Sequence, residues 1–563
     1  MFQIKKKIKT DVLVAGSGLA GIKVSKELAD QQVDVLMVTK MQVASGSSFY
    51  PLKASLGTQV TKDHEDESIF LEDIESLSHG MHGRDLAEVY VKEIPKRVKE
   101  YQEIGVKAKK LKGERKACFA EHERDIYLLS DWDQIRENVR TIFAEYENLS
   151  ILEKTIVLTL LKKEDRVAGA ILLDENNDLV MVECKSVILA TGGFGSIYQH
   201  NLNPNDVDGS GHILAVEAGT RLVNMEYIQF IPGITAPKYK TLFGEHTLMY
   251  CDDIVDEAGS SLLDSMLPEE ISKQECLQIR STHGPFTHSL DSKYVDIAMM
   301  KNIIANRNDH GFRLLYRSEL YENGEEFYTV YLNWLKERNI DLLENEIRIA
   351  PFAHASNGGV YIDTYGRTGV NGLYAIGELS CNIEGANRLG GNSTGACMVF
   401  GKRAAADCVR YIETQSHEEI SEPEALKQIE NMFGVQGQTK GPVIDLEKKV
   451  HQAIESIKKL MWYHGNVVRN KDSLLKALET IRKLESELDL GRLFEQQATR
   501  KLTIKARNFF KLSQILLEAM LERKESRGAH FREDYPEERE EYNKRLFISM
   551  KDDGALEYRF LNE

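Results

Sequence analysis

The hydrophobic and polar positions at the start of the chain predict a strand, a helix and a second strand. Residues 11–15 form a short apolar run that leads into a cluster of glycines, and residues 22–30 continue with apolar positions at helical spacing. A second apolar run follows at residues 33–38. This order predicts a βαβ unit, in which one helix connects two parallel strands.

Farther along the chain, the pattern changes between long blocks. Strands are predicted near residues 150–190, the patterning of residues 226–350 is mixed and irregular, and strands with glycine turns return at residues 358–378 before a helix at 393–412. Helical periodicity and charge dominate beyond about residue 420. We therefore predict an α/β domain in two segments (1–232 and 351–415), an inserted α+β domain (233–350), a helical domain (416–540) and a C-terminal tail (541–563).

The composition limits the function classes. The 563 residues include 72 Lys and Arg against 88 Asp and Glu, a net charge of −16, so we expect no nucleic-acid partner. The seven cysteines are scattered without a CxxC pair, and we expect reduced thiols and no metal site. No stretch approaches the roughly 20 apolar residues that span a bilayer, and the N-terminus has no signal-peptide pattern. We therefore expect a cytoplasmic protein without a membrane span of its own.

A glycine motif joins the first strand to the helix. In the run Gly-Ser-Gly-Leu-Ala-Gly at residues 16–21, Gly16 permits a tight turn, Gly18 lets a pyrophosphate approach, and Gly21 lets helix and strand pack closely. The N–H groups at the helix start can then bind phosphates. Thr39 and Lys40 stand where NAD-binding proteins usually carry an acidic residue. The motif therefore predicts a dinucleotide site and makes NAD a poor candidate.

Four further segments resemble the fumarate reductase and succinate dehydrogenase flavoprotein superfamily, which includes L-aspartate oxidase and the adenylylsulfate reductase flavoprotein. They are Ala-Thr-Gly-Gly at 190–193, Asn-Met-Glu-Tyr at 224–227, Gly-Leu-Tyr-Ala-Ile-Gly-Glu at 372–378 and Gly-Ala-Asn-Arg-Leu-Gly-Gly-Asn-Ser at 385–393. Residues 233–345 match only faintly. The resemblance implies a Rossmann-like FAD-binding domain in two segments, with an inserted capping domain and a C-terminal helical domain.

The resemblance also implies which residues bind FAD. Glu378 can accept hydrogen bonds from a ribose, and the helix that begins near Asn392 and Ser393 would direct its positive end toward the flavin. Several relatives tether the flavin through a histidine, whereas Ser47 stands at that position here, so we expect noncovalent FAD. The full predicted set is Gly16, Gly18, Gly21, Thr39, Lys40, Ser47, Thr191, Gly192, Glu378, Asn392 and Ser393.

On the substrate side, the resemblance implies three catalytic residues. Arg388 matches the family's carboxylate-binding arginine, and His354 matches a histidine that can hydrogen-bond the substrate. Lys293 stands near the position of the arginine that donates a proton in fumarate reductases. A solvated lysine at a helix start is an equally good interpretation of Lys293, and His283 or His288 could supply the proton instead.

Other positions depart from the family's pattern. Ile231 replaces a common histidine, and the family's threonine–glutamate pair is expected near Cys251 and Asp252. These changes argue against plain fumarate or succinate, but an anion with a carboxylate or sulfate group remains compatible with Arg388 and His354. The leading hypothesis is a flavoprotein subunit that exchanges electrons through a separate iron–sulfur or ferredoxin-like partner. The alternatives are an enzyme like L-aspartate oxidase or adenylylsulfate reductase, and a noncatalytic flavin relay.

Overall fold

The computed structural model describes residues 2–49, 56–380, 383–434 and 443–563. Cys381, one of the seven cysteines, lies outside these residues. The strands are β1 (Ile4–Lys9), β2 (Val12–Ala15), β3 (Val35–Val38), β4 (Gly57–Val60), β5 (Lys107–Lys110), β6 (Asp125–Ser130), β7 (Leu149–Leu152), β8 (Ile156–Lys163), β9 (Arg166–Leu173), β10 (Leu179–Glu183), β11 (Ser186–Leu189), β12 (Leu222–Val223), β13 (Ile228–Ala236), β14 (Thr241–Leu242), β15 (Cys251–Val255), β16 (Phe312–Tyr316), β17 (Arg348–Ser356), β18 (Gly359–Val360), β19 (Leu373–Ala375), β20 (Arg545–Met550) and β21 (Leu556–Leu561). The helices are α1 (Leu19–Asp30), α2 (His64–Ser78), α3 (Arg84–Arg97), α4 (Trp132–Phe143), α5 (Ser210–Glu217), α6 (Lys273–Arg280), α7 (Lys293–Asn306), α8 (Glu326–Lys336), α9 (Asn392–Glu413), α10 (Glu422–Phe433), α11 (Val443–His464), α12 (Lys471–Ser486), α13 (Leu490–Glu495) and α14 (Arg500–Glu522).

A parallel sheet in the order β19-β11-β2-β3-β7 carries the predicted βαβ unit. Strands β2, β3 and β11 are buried along their whole length, as expected for strands that are covered on both faces. Helix α1 connects β2 to β3 and packs against α9, which follows β19 in the chain. Two distant segments of sequence therefore build one domain, and the predicted Rossmann-like α/β fold in two segments is confirmed.

The capping region is built on a second sheet in the order β14-β13-β17-β16-β15. Its central strands, β13 and β17, run antiparallel with Ile228 opposite Ser356 and Ala236 opposite Arg348. The chain therefore leaves the α/β domain and returns to it along two neighbouring strands. This pairing brings the beginning of β13 and the end of β17 to the edge of the α/β domain, beside the candidate site.

The C-terminal region packs helices α11, α12, α13 and α14 against one another. Residues 541–563, expected as a tail, contain the hairpin β20–β21, and β20 pairs with β12 of the α/β domain. Leu546, Phe547 and Ile548 in β20 are buried, which explains why this segment is held against the domain. Among the helices of the described residues, none has the length and apolar character that a bilayer crossing requires.

Candidate functional site

The carboxyl ends of the parallel strands open onto a cavity of about 330 Å³. This is the place where open α/β sheets bind their ligands. Most of the predicted cofactor-binding residues line the cavity, namely Gly16, Gly18, Thr39, Lys40, Ser47, Thr191, Gly192 and Glu378.

The turn after β2 is so tightly packed that two glycines of the motif, Gly16 and Gly21, have no room for a side chain. Gly16 has φ +114°, and a Cβ there would lie 2.3 Å from the carbonyl oxygen of Ala190. A Cβ on Gly21 would lie 2.0 Å from the carbonyl oxygen of Gly16, so Gly21 serves helix packing rather than ligand contact. At Gly18, by contrast, the nearest atom to such a Cβ is the Cα of Gly46 at 3.9 Å, which leaves this backbone open toward the cavity.

The end of β3 contributes a hydroxyl and a cation to the same cavity. Ser17 Oγ donates a hydrogen bond to Thr39 Oγ1 at 2.8 Å, which holds the two strand ends together. Lys40 Nζ lies 2.7 Å from Asp208 Oδ2 and 3.4 Å from Ser210 Oγ. Burial raises the pKa of Asp208, but the nearby Lys40 ammonium lowers it by more, so the net pKa lies below its ordinary value. Lys40 therefore faces the cavity as one half of an ion pair.

Two hydroxyl groups in the cavity wall indicate that a ligand with polar groups fits there. Thr191 Oγ1 and Ser45 Oγ are buried and have no hydrogen-bond partner among the described residues. Buried hydroxyls in folded proteins are nearly always paired with protein, water or ligand. An elongated, apolar-walled cavity with free hydroxyls and an open glycine backbone suits a dinucleotide such as FAD.

Glu378 and Ser47 lie farther along the cavity. Glu378 Oε1 accepts hydrogen bonds from the backbone N–H of Ser356 (3.0 Å) and from its hydroxyl (3.2 Å), so the carboxylate is fixed to the end of β17. A Cβ on Gly193 would lie 2.4 Å from Glu378 Oε1, which shows how closely the backbone packs there. Ser47 Oγ donates to Asn203 Oδ1 at 3.3 Å. Both residues are placed to contact a ligand that extends from the glycine motif.

The first turn of α9 contributes Ser393 to a smaller cavity beside the cofactor cavity. Gly391 precedes the helix with φ +89° and offers no side-chain cap, so N–H groups of the first turn remain available to a ligand. Asn392 is buried and accepts a hydrogen bond from the Tyr90 hydroxyl at 3.4 Å. Ser393 Oγ donates to Glu384 Oε1 at 3.0 Å. Asn392 and Ser393 do not line the cofactor cavity, and Ser393 lines a smaller cavity that shares Gly377 and Glu378 with it.

Arg388 and His354 are brought into direct contact. Arg388 donates from Nη2 to His354 Nε2 (3.2 Å), from Nη1 to Ser393 Oγ (2.6 Å) and from Nε to Gln229 Oε1 (2.9 Å). His354 Nε2 accepts this hydrogen bond in the tautomer that carries its proton on Nδ1. The side chain of Arg388 is half-buried. The group is thus a positioned cation whose three partners are all uncharged.

No hydrogen bond among the described residues joins Lys293 to Arg388 or His354. Lys293 is the first residue of α7, half-buried, with its ammonium 5.5 Å from the centre of the Tyr294 ring. The neighbouring Ser292, unlike Lys293, is fully buried, and its hydroxyl lies 2.8 Å from His283 Nε2. Burial lowers the pKa of His283 to about 3 and that of His288 to about 4, so both imidazoles are neutral near pH 7. The geometry favours none of the three as a proton donor.

Three residues at positions where the family's pattern is broken also make no described contact with Arg388 or His354. Ile231 is buried in β13, and Cys251 is buried at the start of β15 with its thiol 3.2 Å from the Asp253 carbonyl oxygen. Asp252 is exposed and its carboxylate lies 3.3 Å from Arg317.

Glu245 is an acidic residue that the sequence reasoning missed. A Cβ on Gly284 would lie 2.6 Å from Glu245 Oε1, and the Gly284 N–H donates to Cys118 Sγ at 3.1 Å. The Cys118 carbonyl in turn accepts from the N–H of Gly390, two residues after Arg388. Burial raises the pKa of Glu245, which favours the neutral acid. Glu245 is one of many acidic residues in the faintly matching region 233–345, and no sequence motif marks its position.

Taken together, the fold and the cavity define an α/β dinucleotide-binding protein with a capping domain over a cationic site. Comparison with known proteins gives the family. The family model for the FAD binding domain matches residues 11–394, and the model for the fumarate reductase flavoprotein C-terminal region matches residues 454–562. The chain therefore belongs to the FAD-dependent oxidoreductase family that includes fumarate reductase and L-aspartate oxidase.

Individual relatives and structures agree with this assignment. The chain is 26% identical to one of the subunits of a CoM/CoB fumarate reductase from Methanothermobacter marburgensis, over 96% of this chain and 97% of that one. It is 27% identical to an L-aspartate oxidase from Yersinia pestis, over 94% and 96%. The fold is similar to Mycobacterium smegmatis Sdh1 (TM-score 0.80, 21% identity, 99% and 94% covered) and to an adenosine-5-phosphosulfate reductase (TM-score 0.72, 17% identity, 100% and 99% covered).

Proposed function

We propose that this protein transfers a hydride between its FAD and an anionic substrate, and that Arg388 binds that substrate through a carboxylate or sulfate group. The observation that carries the proposal is that Arg388 is held by hydrogen bonds but has no carboxylate partner among the described residues. Its guanidinium donates to Gln229, Ser393 and His354, and none of the ion pairs among the described residues involves it. A positioned guanidinium without a carboxylate partner is suited to bidentate capture of an anion.

The residues around Arg388 have complementary roles in this proposal. FAD, when bound, supplies the hydride acceptor or donor at its N5 atom. Arg388 and His354 hold the anionic group, because they share a hydrogen bond and lie beside the loop that leads into α9. Glu245 holds the proton that the substrate carbon receives, because burial raises the pKa of its carboxyl and so favours the protonated acid.

A fumarate-like enoate is the substrate class that this arrangement supports best. Such a molecule needs one or two cations, a hydride at one carbon and a proton at the neighbouring carbon. The M. marburgensis relative is called a fumarate reductase. The chain has no CxxC pair, so an iron–sulfur route for the electrons requires a second polypeptide.

Noncovalent attachment of the FAD is part of the proposal. Ser47 occupies the position expected for a tethering histidine, and its hydroxyl is hydrogen-bonded to Asn203. Acid precipitation of the purified protein should leave the FAD in the supernatant. Yellow colour that remains with the precipitated polypeptide would contradict noncovalent binding.

The test of function is stopped-flow absorbance of the anaerobically reduced protein. It is mixed in turn with fumarate, other unsaturated carboxylates, adenylylsulfate and oxygen. We expect fast and saturable reoxidation by one unsaturated carboxylate, and its loss in Arg388→Ala. Reduction by L-aspartate with reoxidation by oxygen alone would replace this proposal with an aspartate-oxidase activity. Reoxidation by adenylylsulfate alone would indicate that reductase activity, and reoxidation by none of them would favour a flavin relay.

A further inference from the structure

Glu384 is a buried carboxyl group that the proposed reaction does not use. It is 2% exposed, and Oε1 accepts the hydrogen bond from Ser393. Among the described residues, Oε2 has no hydrogen-bond partner and no ion pair involves Glu384. An ionised carboxylate in such a place is costly, whereas a protonated one is tolerated. The Glu384 carboxyl is therefore suited to bind and release a proton.

The surroundings of Glu384 connect it to the cofactor. With Gly377, Glu378 and Ser393 it lines the smaller cavity, and Gly377 and Glu378 also line the cofactor cavity. Ser393 joins it on the other side to Arg388, since Ser393 Oγ accepts from Arg388 Nη1 and donates to Glu384 Oε1. The carboxyl thus lies between the cofactor cavity and the anion-binding cation.

The charged and titratable groups that face Glu384 come from several elements. The net pKa of Glu384 is raised to about 7, because the rise caused by burial exceeds the lowering by Arg388 and by the Ser393 hydrogen bond, and Glu378 adds a smaller rise. Tyr90 on α3 and Cys397 on α9 also face it, and burial, with a contribution from Glu384, raises the pKa of each. The balance places the titration of Glu384 near neutral pH, where an added negative charge nearby will shift it.

We propose that Glu384 binds one proton when the flavin of this protein is reduced and releases it on reoxidation. The proposal rests on the proposed function and on the expectation from the family resemblance that the flavin ring lies at the N-terminus of α9. When the electron-donating partner or dithionite supplies the two electrons, two protons come from water; when the substrate supplies them as a hydride, that hydride brings the hydrogen bound at N5 and only one proton comes from water. In both cases one hydrogen is bound at flavin N5, which leaves the reduced flavin with one negative charge. The remaining proton is bound by the Glu384 carboxylate, because that new charge raises its pKa.

The experiment is a redox titration of the FAD-loaded protein between pH 6 and pH 9, with dithionite as reductant and mediator dyes. The pH dependence of the midpoint potential gives the number of protons bound per two electrons. Below the pKa of Glu384 the residue is protonated in both redox states, so we expect about one proton. Above it we expect a rise toward two protons, so the reduction equilibrium constant changes about a hundredfold per pH unit instead of tenfold.

Two variants separate this role from a structural one. Glu384→Gln keeps an acceptor for Ser393 but cannot titrate, so we expect about one proton per two electrons at every pH. Glu93→Gln, on the same helix as Tyr90 but paired with Arg403, should follow the wild type. In the infrared difference spectrum of reduction at pH 8, a protonated carboxyl band should appear in the wild type and be missing in Glu384→Gln.

The outcomes that overturn the proposal are distinct from those that overturn the proposed function. A wild-type protein that binds one proton per two electrons from pH 6 to pH 9 rules out the role of Glu384, whether or not the variant folds. An unchanged rise in Glu384→Gln does the same. A purified protein that binds no FAD overturns the proposed function and this inference with it, and that result is read from the flavin absorbance before any titration.

Discussion

Two arginine sites in this molecule differ in the charge of their partners. Arg523 is fully buried and donates to the carboxylates of Glu226 (2.6 Å) and Glu525 (2.9 Å), which are fully buried as well. Arg388 is half-buried and donates only to uncharged groups. The first arrangement neutralises its charge within the protein and joins the C-terminal region to the start of the capping strands. The second leaves a positive charge available, and for this reason we propose Arg388 rather than Arg523 as the anion-binding residue.

The largest effect is expected for Arg388→Ala. Because the anion would lose its charged partner, kcat/KM should fall about 10³-fold or more, with little change in thermal stability. Steady-state kinetics with the substrate found by stopped flow, together with thermal unfolding, measures both. The exposed Arg410→Ala is the matched control and should retain wild-type kinetics. Equal losses of activity and stability in Arg388→Ala would mean that both arginines are structural.

The opposite result is expected for Arg523→Ala. Removing this guanidinium leaves the buried Glu226 carboxylate without its ion-pair partner, while Glu525 keeps its pair with Arg527. The free energy of unfolding should therefore fall by about 3 kcal/mol or more. Chemical denaturation monitored by circular dichroism measures the change. Arg482→Ala, which breaks an exposed pair with Glu518, should cost less than about 1 kcal/mol. A stable Arg523→Ala protein that had lost only activity would contradict the comparison.

Glu245→Gln tests whether proton donation can be separated from anion binding at Arg388. If Glu245 gives the proton, kcat in the reductive direction should fall about 10²-fold, whereas substrate binding at Arg388 should persist. The sign of the pH effect follows from its raised pKa. The acid is active when protonated, so wild-type activity should fall as pH rises through that pKa, and this fall should be absent in the variant. A wild-type pH profile in Glu245→Gln would remove Glu245 from the proposed mechanism.

The smallest effect is expected for Lys293→Ala. Its ammonium contacts the Tyr294 ring rather than the Arg388 group, so kcat/KM should change less than about threefold. The same kinetic assay measures it, with Lys301→Ala on the same helix as the control. A fall in activity as large as that expected for Glu245→Gln would support Lys293 as the proton donor, the role that its sequence position suggests.

Short motifs carried most of what the sequence could predict. The glycines at residues 16–21 and the segment around Arg388 are local patterns, since each needs particular residue types within a few positions. They led to the FAD cofactor and to the Rossmann-like domain. The hairpin β20–β21 was missed because its charged surroundings at residues 522–545 dominate the pattern.

Glu245 shows why the rest of the site could not be predicted. It reaches the site through Gly284 and Cys118, which lie 39 residues after it and 127 residues before it in the chain. Such a contact depends on how the capping sheet folds back on the α/β domain, and no periodicity records it. The same holds for Glu384, whose importance lies in an oxygen without a hydrogen-bond partner and in the absence of a direct ion pair among the described residues.

The pairing of β13 with β17 has a consequence for how this protein can change. The inserted region enters along one strand and leaves along its neighbour, with Ala236 opposite Arg348. Its two ends are therefore close together, and the whole insertion can be exchanged as a cassette without altering the path of the chain around the FAD. Because Glu245 belongs to the insertion and Arg388 to the scaffold, such an exchange would give the same cofactor and the same anion anchor a new proton donor, and with it a new range of substrates.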